Sequence, residues 1–260
     1  MDPLDYSGRA VLVTGGTRGI GAAIAEAFRD AGADVLVCAR TSPSAVPPGR
    51  FFPADVRDPA QAAAVVEEAV TRFGRLDILI NNAGGSPSVA AGTASPRLHS
   101  KIIELNLIAP LHVSQAANAV MRTQLGGGVI LMIGSVSGTR PSPGTAAYGA
   151  AKAGLHHLTT SLAAEWAPLV RVNNLVVGPV ATEAPPLDEA PESVPGAAST
   201  VARTVPMGRA AAVAEVAGAC LLLASPLAGY ISGASLAVHG GGEWPAYLAD
   251  LRDTAYRADK

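Results

Sequence analysis

The sequence predicts an α/β fold in which one parallel sheet is covered by helices on both faces. Short runs rich in Val, Ile and Leu alternate with Ala-rich stretches of helical periodicity along the chain. These runs are apolar at consecutive positions, which is typical of strands buried on both faces of a parallel sheet. Regular alternation of strands with helices produces strand–helix–strand units, and such units build parallel sheets.

Size and composition favour a single soluble, cytoplasmic domain over residues 1–260. Of these residues, 49% are hydrophobic, which is ample for one large core. Only 15% are charged and the net charge is -2, so no basic field is present to attract nucleic acid. The amino-terminal segment lacks the apolar stretch of a secretory signal, and no segment is apolar for long enough to cross a bilayer.

The cysteine and histidine pattern predicts neither a disulfide nor a metal site. Cys38 and Cys220 both lie in apolar runs, so we expect them to be buried thiols of a reducing compartment. The histidines and cysteines show no metal-ligand spacing.

The strands and helices can be placed from periodicity and from their flanking Gly, Pro and polar residues. The predicted strands are 9–16, 34–40, 50–56, 76–84, 127–135, 170–179 and 234–242. The predicted helices are 20–32, 59–74, 97–124, 146–166 and 212–224. Pro53 weakens the third strand, and we expect Pro110 to bend the long third helix.

Two connections are predicted to be neither helix nor strand. The crossover "TSPSAVPPGR" at 41–50 is too short and too rich in Pro for the helix that a parallel crossover normally needs, so we expect an extended loop. The stretch 178–208, rich in Pro, Ala and Ser, has weak periodicity. Such a segment is either a lid or a disordered loop, and we favour a lid over substrate. Together with the loop at 84–100, it should shape the substrate pocket.

The stretch "TGGTRGIG" at 14–21 joins the first strand to the first helix. Glycines at 15, 19 and 21 allow a tight turn and a close backbone approach to a pyrophosphate, which the N–H groups and dipole of the helix would bind. The position between a strand and a helix is the context that this motif requires. A glycine turn without a ligand is the alternative.

The end of the second strand bears on the choice of dinucleotide. A carboxylate there would bind a ribose 2′-OH, but this chain has Arg40 and Thr41, with Arg18 nearby in the glycine turn. Guanidiniums without a carboxylate suit a 2′-phosphate, so we expect NADP(H) to be preferred, with NAD(H) possible. Both arginines could instead be surface charges. Asp55 could accept a hydrogen bond from adenine, or cap the helix that begins near Pro59.

These motifs together resemble those of the short-chain dehydrogenase/reductase family. The resemblance is carried by the glycine turn, "NNAG" at 81–84, Ser135, and Tyr148 with Lys152 four residues later. Further similar stretches are "ELN" at 104–106, "GPVATE" at 178–183, "VPMGR" at 205–209 and "SGASLAVHGG" at 232–241. Nearly the whole chain is covered. Departures are the short second crossover, His239 where an aspartate is common, and Gly134 where a second serine is frequent.

The resemblance implies a Rossmann-type three-layer sandwich with a seven-stranded parallel sheet, and hydride transfer between a nicotinamide and an alcohol or carbonyl. It implies Tyr148 as general acid or base, Lys152 as its activator, Ser135 as the group that holds the substrate oxygen, and Asn106 as support for a water relay. The residues expected to bind the dinucleotide are Gly15, Thr17, Arg18, Gly19, Ile20, Gly21, Arg40, Thr41, Asp55, Val56, Asn82, Ala83, Gly84, Tyr148, Lys152, Pro179, Val180 and Thr182. A homotetramer or homodimer is also implied.

The residues themselves support this chemistry. Tyr148 and Lys152 lie on one helix face, where the ammonium would favour the phenolate and lower the tyrosine pKa. Ser135 follows a buried strand at the edge where α/β sheets bind ligands, and Ser137 is a second candidate with the same hydroxyl chemistry. The alternative for Tyr148 and Lys152 is an incidental helix pair, and Asn106 could be a buried amide that ties backbone groups together.

The sequence is also compatible with functions other than carbonyl reduction with NADP(H). The main alternatives are an NAD(H)-linked alcohol dehydrogenase and a dinucleotide-binding regulator without turnover. His156 and His157 lie on the helix of Tyr148, and we expect them to pack or to meet a second subunit. Small apolar residues in the pocket loops suit an uncharged or partly apolar substrate.

Overall fold

A sheet of seven parallel strands runs through the computed structural model, which describes residues 2–41, 50–182, 201 and 203–245. Its strands are β1 (Ala10–Thr14), β2 (Asp34–Ala39), β3 (Phe51–Pro53), β4 (Ile78–Asn81), β5 (Gly128–Ile133), β6 (Val170–Val177) and β9 (Ser235–Val238), and a separate pair is formed by β7 (Val180–Ala181) and β8 (Ala211–Ala212). The order across the sheet is β3-β2-β1-β4-β5-β6-β9. The chain therefore changes direction across the sheet between β1 and β4, and ligands of open α/β sheets bind beside such a point.

The helices cover both faces of this sheet, as predicted. They are α1 (Gly19–Asp30), α2 (Pro59–Phe73), α3 (Pro96–Ile103), α4 (Ala109–Met121), α5 (Ala146–Trp166) and α6 (Val213–Ala224). Helices α2, α4 and α5 pack on one face, and α1 and α6 pack on the other. Alternate strand residues supply the two cores: Leu12 of β1 joins the first, whereas Val11 and Val13 join the second. The predicted three-layer sandwich and all seven predicted strands are confirmed.

The third predicted helix is not one continuous α-helix. A π-helical turn, Glu104–Ile108, separates α3 from α4, and the Ala109 N–H donates to the Glu104 carbonyl five residues back. Pro110 lies in the first turn of α4, where the shifted bonding pattern spares it a lost hydrogen bond. The bend expected at Pro110 stays a prediction, and the π turn carries the buried Asn106.

Helix α2 is capped by a residue other than the one considered. Asp58 accepts hydrogen bonds from the Ala60 N–H (2.8 Å) and the Gln61 N–H (3.4 Å). Gly74, with a φ of 74°, ends the helix in a left-handed conformation. The capping alternative for Asp55 was therefore wrong, because Asp58 lies immediately before the first helical residue.

Several expectations about composition can be compared with the described residues. Cys38 in β2 and Cys220 in α6 are buried and unbridged, as predicted. Within the described ranges, no helix is long and apolar enough to cross a membrane, and no group of three His, Cys, Asp or Glu side chains is placed to hold a metal ion. Most of the two predicted loops, at 42–49 and 183–200, lies outside the described residues.

Candidate active site

The glycine turn between β1 and α1 is shaped for close approach of a ligand. Gly15 and Gly19 adopt positive φ values of 62° and 53°. At Gly21 an added Cβ would overlap the Gly15 carbonyl oxygen and the Asn82 amide nitrogen, so only glycine fits there. Arg18, at the N-cap of α1, makes no side-chain cap, and the N–H groups of the first turn are therefore available to an anion.

Polar side chains tie this turn to the end of β4. The Thr14 hydroxyl accepts hydrogen bonds from the backbone N–H groups of Asn82 and Ala83, both at 3.0 Å. The Asn82 amide donates back to the carbonyl oxygens of Thr14 and Gly15, also at 3.0 Å. The turn is thus held in its shape before any ligand binds, which reduces the conformational entropy lost on binding.

A cavity of about 470 Å³ opens beside the turn at the carboxyl edge of the sheet. Its walls include Ser135 and every predicted dinucleotide residue except Thr41, Pro179 and Val180. Thr41 is exposed, and Val180 pairs with Ala211 in the β7–β8 sheet. Roles for these three residues in binding stay predictions. The glycine cradle and the length of the cavity along several strand ends fit a dinucleotide.

A cluster of charged side chains lines one part of the cavity. Arg18, Arg40, Arg57 and Asp55 all contribute to its wall. The Arg57 Nε donates to both carboxylate oxygens of Asp55, at 2.9 and 3.1 Å. These hydrogen bonds hold the pKa of Asp55 below its ordinary value. Sequence reasoning missed Arg57, although its position two residues after Asp55 at a strand end was a usable signal.

Tyr148 and Lys152 reach the cavity from α5. Lys152 is 4% exposed, and its ammonium donates to the Ile133 carbonyl oxygen at 2.8 Å. Its nitrogen lies 5.6 Å from the centroid of the Tyr148 ring. The pKa of Lys152 falls to about 8 because burial disfavours the ammonium, and in the described part of the chain it forms no ion pair.

The direction of the Tyr148 pKa shift differs from the prediction. Burial raises the pKa of the Tyr148 phenol, and the hydrogen bond with Ser135 opposes that shift only in part. The net shift in the chain by itself is therefore upward and not downward as expected, and burial is its largest cause. Tyr148 is therefore a protonated phenol at neutral pH, which is the form that can donate a proton.

Ser135 lines the same cavity as Tyr148 and forms a hydrogen bond with it. It lies two residues beyond β5, caps the turn Val136–Gly138, and accepts a hydrogen bond from the Ser137 N–H at 3.2 Å. Ser135 lines the cavity, whereas Ser137 lines a separate groove along the start of α5. The geometry thus supports the ranking of Ser135 above Ser137.

Asn106 lies behind the cavity wall and not in it. Its amide donates to the carbonyl oxygens of Ile102 (2.9 Å) and Gly85 (2.8 Å), and its oxygen accepts from the Gly85 N–H (2.9 Å). An added Cβ at Gly84 would lie 2.7 Å from the Asn106 oxygen and 3.5 Å from the Lys152 nitrogen. The amide role considered for Asn106 is therefore observed, and the water relay stays a prediction.

Comparisons with known proteins agree with this geometry. A family model described as enoyl-(acyl carrier protein) reductase matches residues 15–243. The chain is 35% identical to 3alpha-hydroxysteroid dehydrogenase of Mediterraneibacter gnavus, over 89% of this chain and 96% of that protein. It is also 35% identical to 3-oxoacyl-[acyl-carrier-protein] reductase of Escherichia coli K12, over 92% and 98%.

Solved structures give the same result. A short-chain type dehydrogenase/reductase from Mycobacterium marinum superposes with a TM-score of 0.84 at 30% identity, covering 94% of this chain and 99% of that one. Such likeness over nearly the full length of both chains covers the sheet, the glycine turn and the Tyr148 helix together.

Proposed function

We propose a specific reaction for this chain, which belongs to the short-chain dehydrogenase/reductase family and is an oxidoreductase acting on CH–OH and C=O groups. The reaction is NADP(H)-dependent reduction of a ketone or aldehyde to the alcohol, or its reverse. One observation carries this proposal: Tyr148, Ser135 and Lys152 share a single cavity with the glycine turn that suits a dinucleotide.

The side chains divide the work at the carbonyl oxygen. A bound nicotinamide dinucleotide supplies the hydride for the carbonyl carbon. Tyr148 donates its phenolic proton to the oxygen as that oxygen gains negative charge, and Ser135 holds the same oxygen by a hydrogen bond. Lys152, still protonated at pH 7, then stabilises the phenolate that Tyr148 becomes. In alcohol oxidation the same groups act in reverse.

The preference for NADP(H) rests on the charged cluster in the cavity wall. Three guanidiniums, from Arg18, Arg40 and Arg57, face one carboxylate, from Asp55. Arg57 engages that carboxylate, so two positive charges (three minus one) remain for a ligand. A 2′-phosphate is a dianion with oxygens that match guanidinium forks, whereas a ribose hydroxyl would leave these charges unused.

The first test is titration of the purified protein with NADPH and with NADH, followed by nicotinamide fluorescence. We expect NADPH to bind at least about ten-fold more tightly, because each phosphate–guanidinium contact contributes charge-assisted hydrogen bonds. Arg40→Asp should weaken NADPH binding and improve NADH binding. Arg122→Asp makes the same charge change at an exposed position outside the cavity and should leave both affinities unchanged.

The outcomes separate the candidate functions. Equal or tighter NADH binding by the wild-type protein would overturn the cofactor preference and favour NAD(H)-linked alcohol oxidation, for which Asp55 in the cavity wall is the supporting observation. Binding without turnover of any ketone or aldehyde in a broad panel would favour a dinucleotide-binding regulator. If neither dinucleotide binds, the proposed reaction fails.

The proposal extends to the class of substrate and to the oligomeric state. The residues of the predicted 84–100 loop, which continues into α3 from Pro96, are mostly small or apolar, and this supports an uncharged or partly apolar carbonyl compound. The oligomer we propose is a homotetramer or homodimer in the cytoplasm, built on the α3–α4 and α5 helices, where Ile108 is 37% exposed. A monomer by size-exclusion chromatography with light scattering would contradict it.

A further inference from the structure

A third side chain of α5 reaches the end of β5, one helical turn beyond Lys152. His156 is half-buried, and its Nε2 accepts a hydrogen bond from the Ser135 backbone N–H at 3.4 Å. Tyr148, Lys152 and His156 are spaced four residues apart and so lie along one face of the helix. The Lys152 ammonium donates to the Ile133 carbonyl, and His156 accepts from the Ser135 N–H. Helix α5 therefore forms hydrogen bonds with the backbone on both sides of Gly134.

Glycines on either side of Ser135 make room for the imidazole. An added Cβ at Gly134 would lie 2.6 Å from His156 Nε2, and one at Gly138 would lie 2.8 Å from His156 Cε1. Neither glycine has a positive φ, so lack of space and not backbone conformation excludes other residues. The imidazole shares this exclusion with the Asn174 side chain at Gly134 and with the α5 backbone at Gly138. Gly134, a departure from the family pattern, thus has a local reason: a serine there would collide with both Asn174 and His156.

The surroundings favour the form of histidine that can accept a hydrogen bond. Burial lowers the pKa of His156, and the Lys152 ammonium lowers it further. The imidazole is therefore neutral at neutral pH, and a neutral ring has one nitrogen that accepts. Asn174, which also faces Gly134 from β6, is uncharged and adds no opposing charge.

We propose that His156 is a positioning residue whose Nε2 holds the Ser135 backbone N–H and thereby fixes the Ser135 hydroxyl beside Tyr148. This inference rests on the proposed function, since it assigns a partner to one of its catalytic groups. The acceptor is needed because the Ser135 N–H is part-buried at the strand end, where an unmade hydrogen bond costs stability and leaves the turn loose. Misplacement of a catalytic hydroxyl by a fraction of an ångström slows the chemical step more than it weakens binding.

Two substitutions distinguish a role of His156 as a hydrogen-bond acceptor from a role in packing alone. His156→Leu keeps a similar volume and removes the acceptor, whereas His156→Gln offers an amide oxygen at a similar reach. We expect His156→Leu to lower kcat about ten-fold with little change in KM or in NADPH affinity, and His156→Gln to recover most of that loss. His157→Leu, at the exposed neighbouring position, is the matched control and should behave as wild type.

A spectroscopic measurement tests the same contact without turnover. In ¹⁵N-histidine-labelled protein, the His156 ring should be the tautomer with a proton on Nδ1 and an unprotonated Nε2. A proton on Nε2 would overturn the proposal. So would a kcat of His156→Leu equal to that of wild type, or equal losses in the Leu and Gln variants with a matching drop in Tm, which would indicate packing alone.

The failure of this inference can be told from that of the proposed function. If the wild-type protein reduces carbonyl compounds, Tyr148→Phe does not, and His156→Leu is fully active, only the positioning role is wrong. If the wild-type protein turns over no carbonyl compound, both are overturned.

Discussion

At the amino and carboxyl edges of the central sheet, the buried charged side chains differ in whether an opposite charge pairs with them. At the amino edge, Asp77 precedes β4, and its carboxylate accepts hydrogen bonds from the Ala10 N–H (3.0 Å), Arg9 (2.8 Å) and Arg75 (2.6 Å). At the carboxyl edge, Lys152 is just as buried, but its ammonium has a carbonyl oxygen as its hydrogen-bond partner and forms no ion pair in the described chain.

The pKa shifts report this difference. Burial by itself would raise the pKa of Asp77, yet the hydrogen bonds from Arg75, Ala10 and Arg9 outweigh burial and hold it below the ordinary value. Burial of Lys152 is not compensated, so its pKa falls to about 8. At the amino edge the buried charge is thus compensated by neighbouring donors, whereas at the carboxyl edge the buried ammonium is not compensated by an anion in the described chain.

The largest expected effect lies at the carboxyl edge. Tyr148→Phe removes the proposed proton donor but keeps the ring, so kcat should fall about 10³-fold, within the range for loss of a general acid. Dinucleotide affinity and Tm should change far less than kcat, because only one of many residues around the dinucleotide loses a hydroxyl and the ring is kept. Steady-state kinetics with a responsive carbonyl compound, beside fluorescence titration, measure both. A variant with near-normal kcat would remove Tyr148 from its role.

The glycine turn gives the next largest effect. At Gly21 a methyl group would meet the Gly15 carbonyl and Asn82, so Gly21→Ala must shift the backbone that forms the cradle. We expect dinucleotide affinity to fall about 100-fold, equivalent to the strain of overpacking a tight site. Gly74→Ala is a useful control, because Gly74 has open space around it and any cost there comes from its positive φ and affects stability alone. Unchanged affinity in Gly21→Ala would show that the turn is not the binding site.

At the amino edge, a substitution should affect stability and leave catalysis intact. Asp77→Asn replaces a carboxylate with a neutral amide whose NH₂ group would face donors, and we expect a loss of about 2 kcal/mol in the free energy of unfolding at pH 7. The partners Arg9 and Arg75 are 49% and 40% exposed, so they can regain water, which limits the cost. Urea unfolding measures the loss, and kcat and KM should not change.

The pH dependence of that loss has a definite sign. The folded-state pKa of Asp77 lies below its ordinary value of 3.8, so its contribution is present above pH 3.8 and disappears as the pH falls through the folded-state value. The difference between wild type and Asp77→Asn should therefore shrink on acidification. A difference that stays constant to low pH would mean that the carboxylate charge does not matter.

Features that depend on local spacing could be predicted from the sequence. The seven strands follow from apolar runs, the glycine turn from its place between a strand and a helix, and the shared face of Tyr148 and Lys152 from helical geometry. Each of these is determined within a short stretch of chain. The fold class and a majority of the residues that line the cavity could therefore be anticipated, but Arg57 was missed.

Features that depend on how distant segments meet could not be predicted. The contact between His156 and Ser135 joins residues 21 positions apart. The raised pKa of Tyr148 arises from burial by surrounding elements, whereas sequence spacing showed only the nearby lysine. The π turn at Glu104–Ile108 reflects a shift in the backbone hydrogen-bond pattern that the residue types in this stretch do not predict.

The smallest expected change in the free energy of unfolding also sharpens the comparison between the two edges. Lys152→Met removes a buried ammonium together with its bond to the Ile133 carbonyl, and the two changes oppose each other in stability. We expect the variant to be about 1 kcal/mol more stable than wild type at pH 7, although its kcat falls.

The sign of this stability change follows from the linkage between protonation of Lys152 and folding. The ordinary pKa of 10.5 drops to about 8 on folding, so the fold disfavours the protonated lysine, and wild type carries the full cost below pH 8. That cost fades as the pH rises toward 10.5, so the advantage of Lys152→Met should disappear over this window. Urea unfolding at pH 7, 9 and 10.5 tests this expectation. If Lys152→Met is instead destabilised at pH 7 by as much as Asp77→Asn, both edges serve stability alike and the contrast between them is wrong.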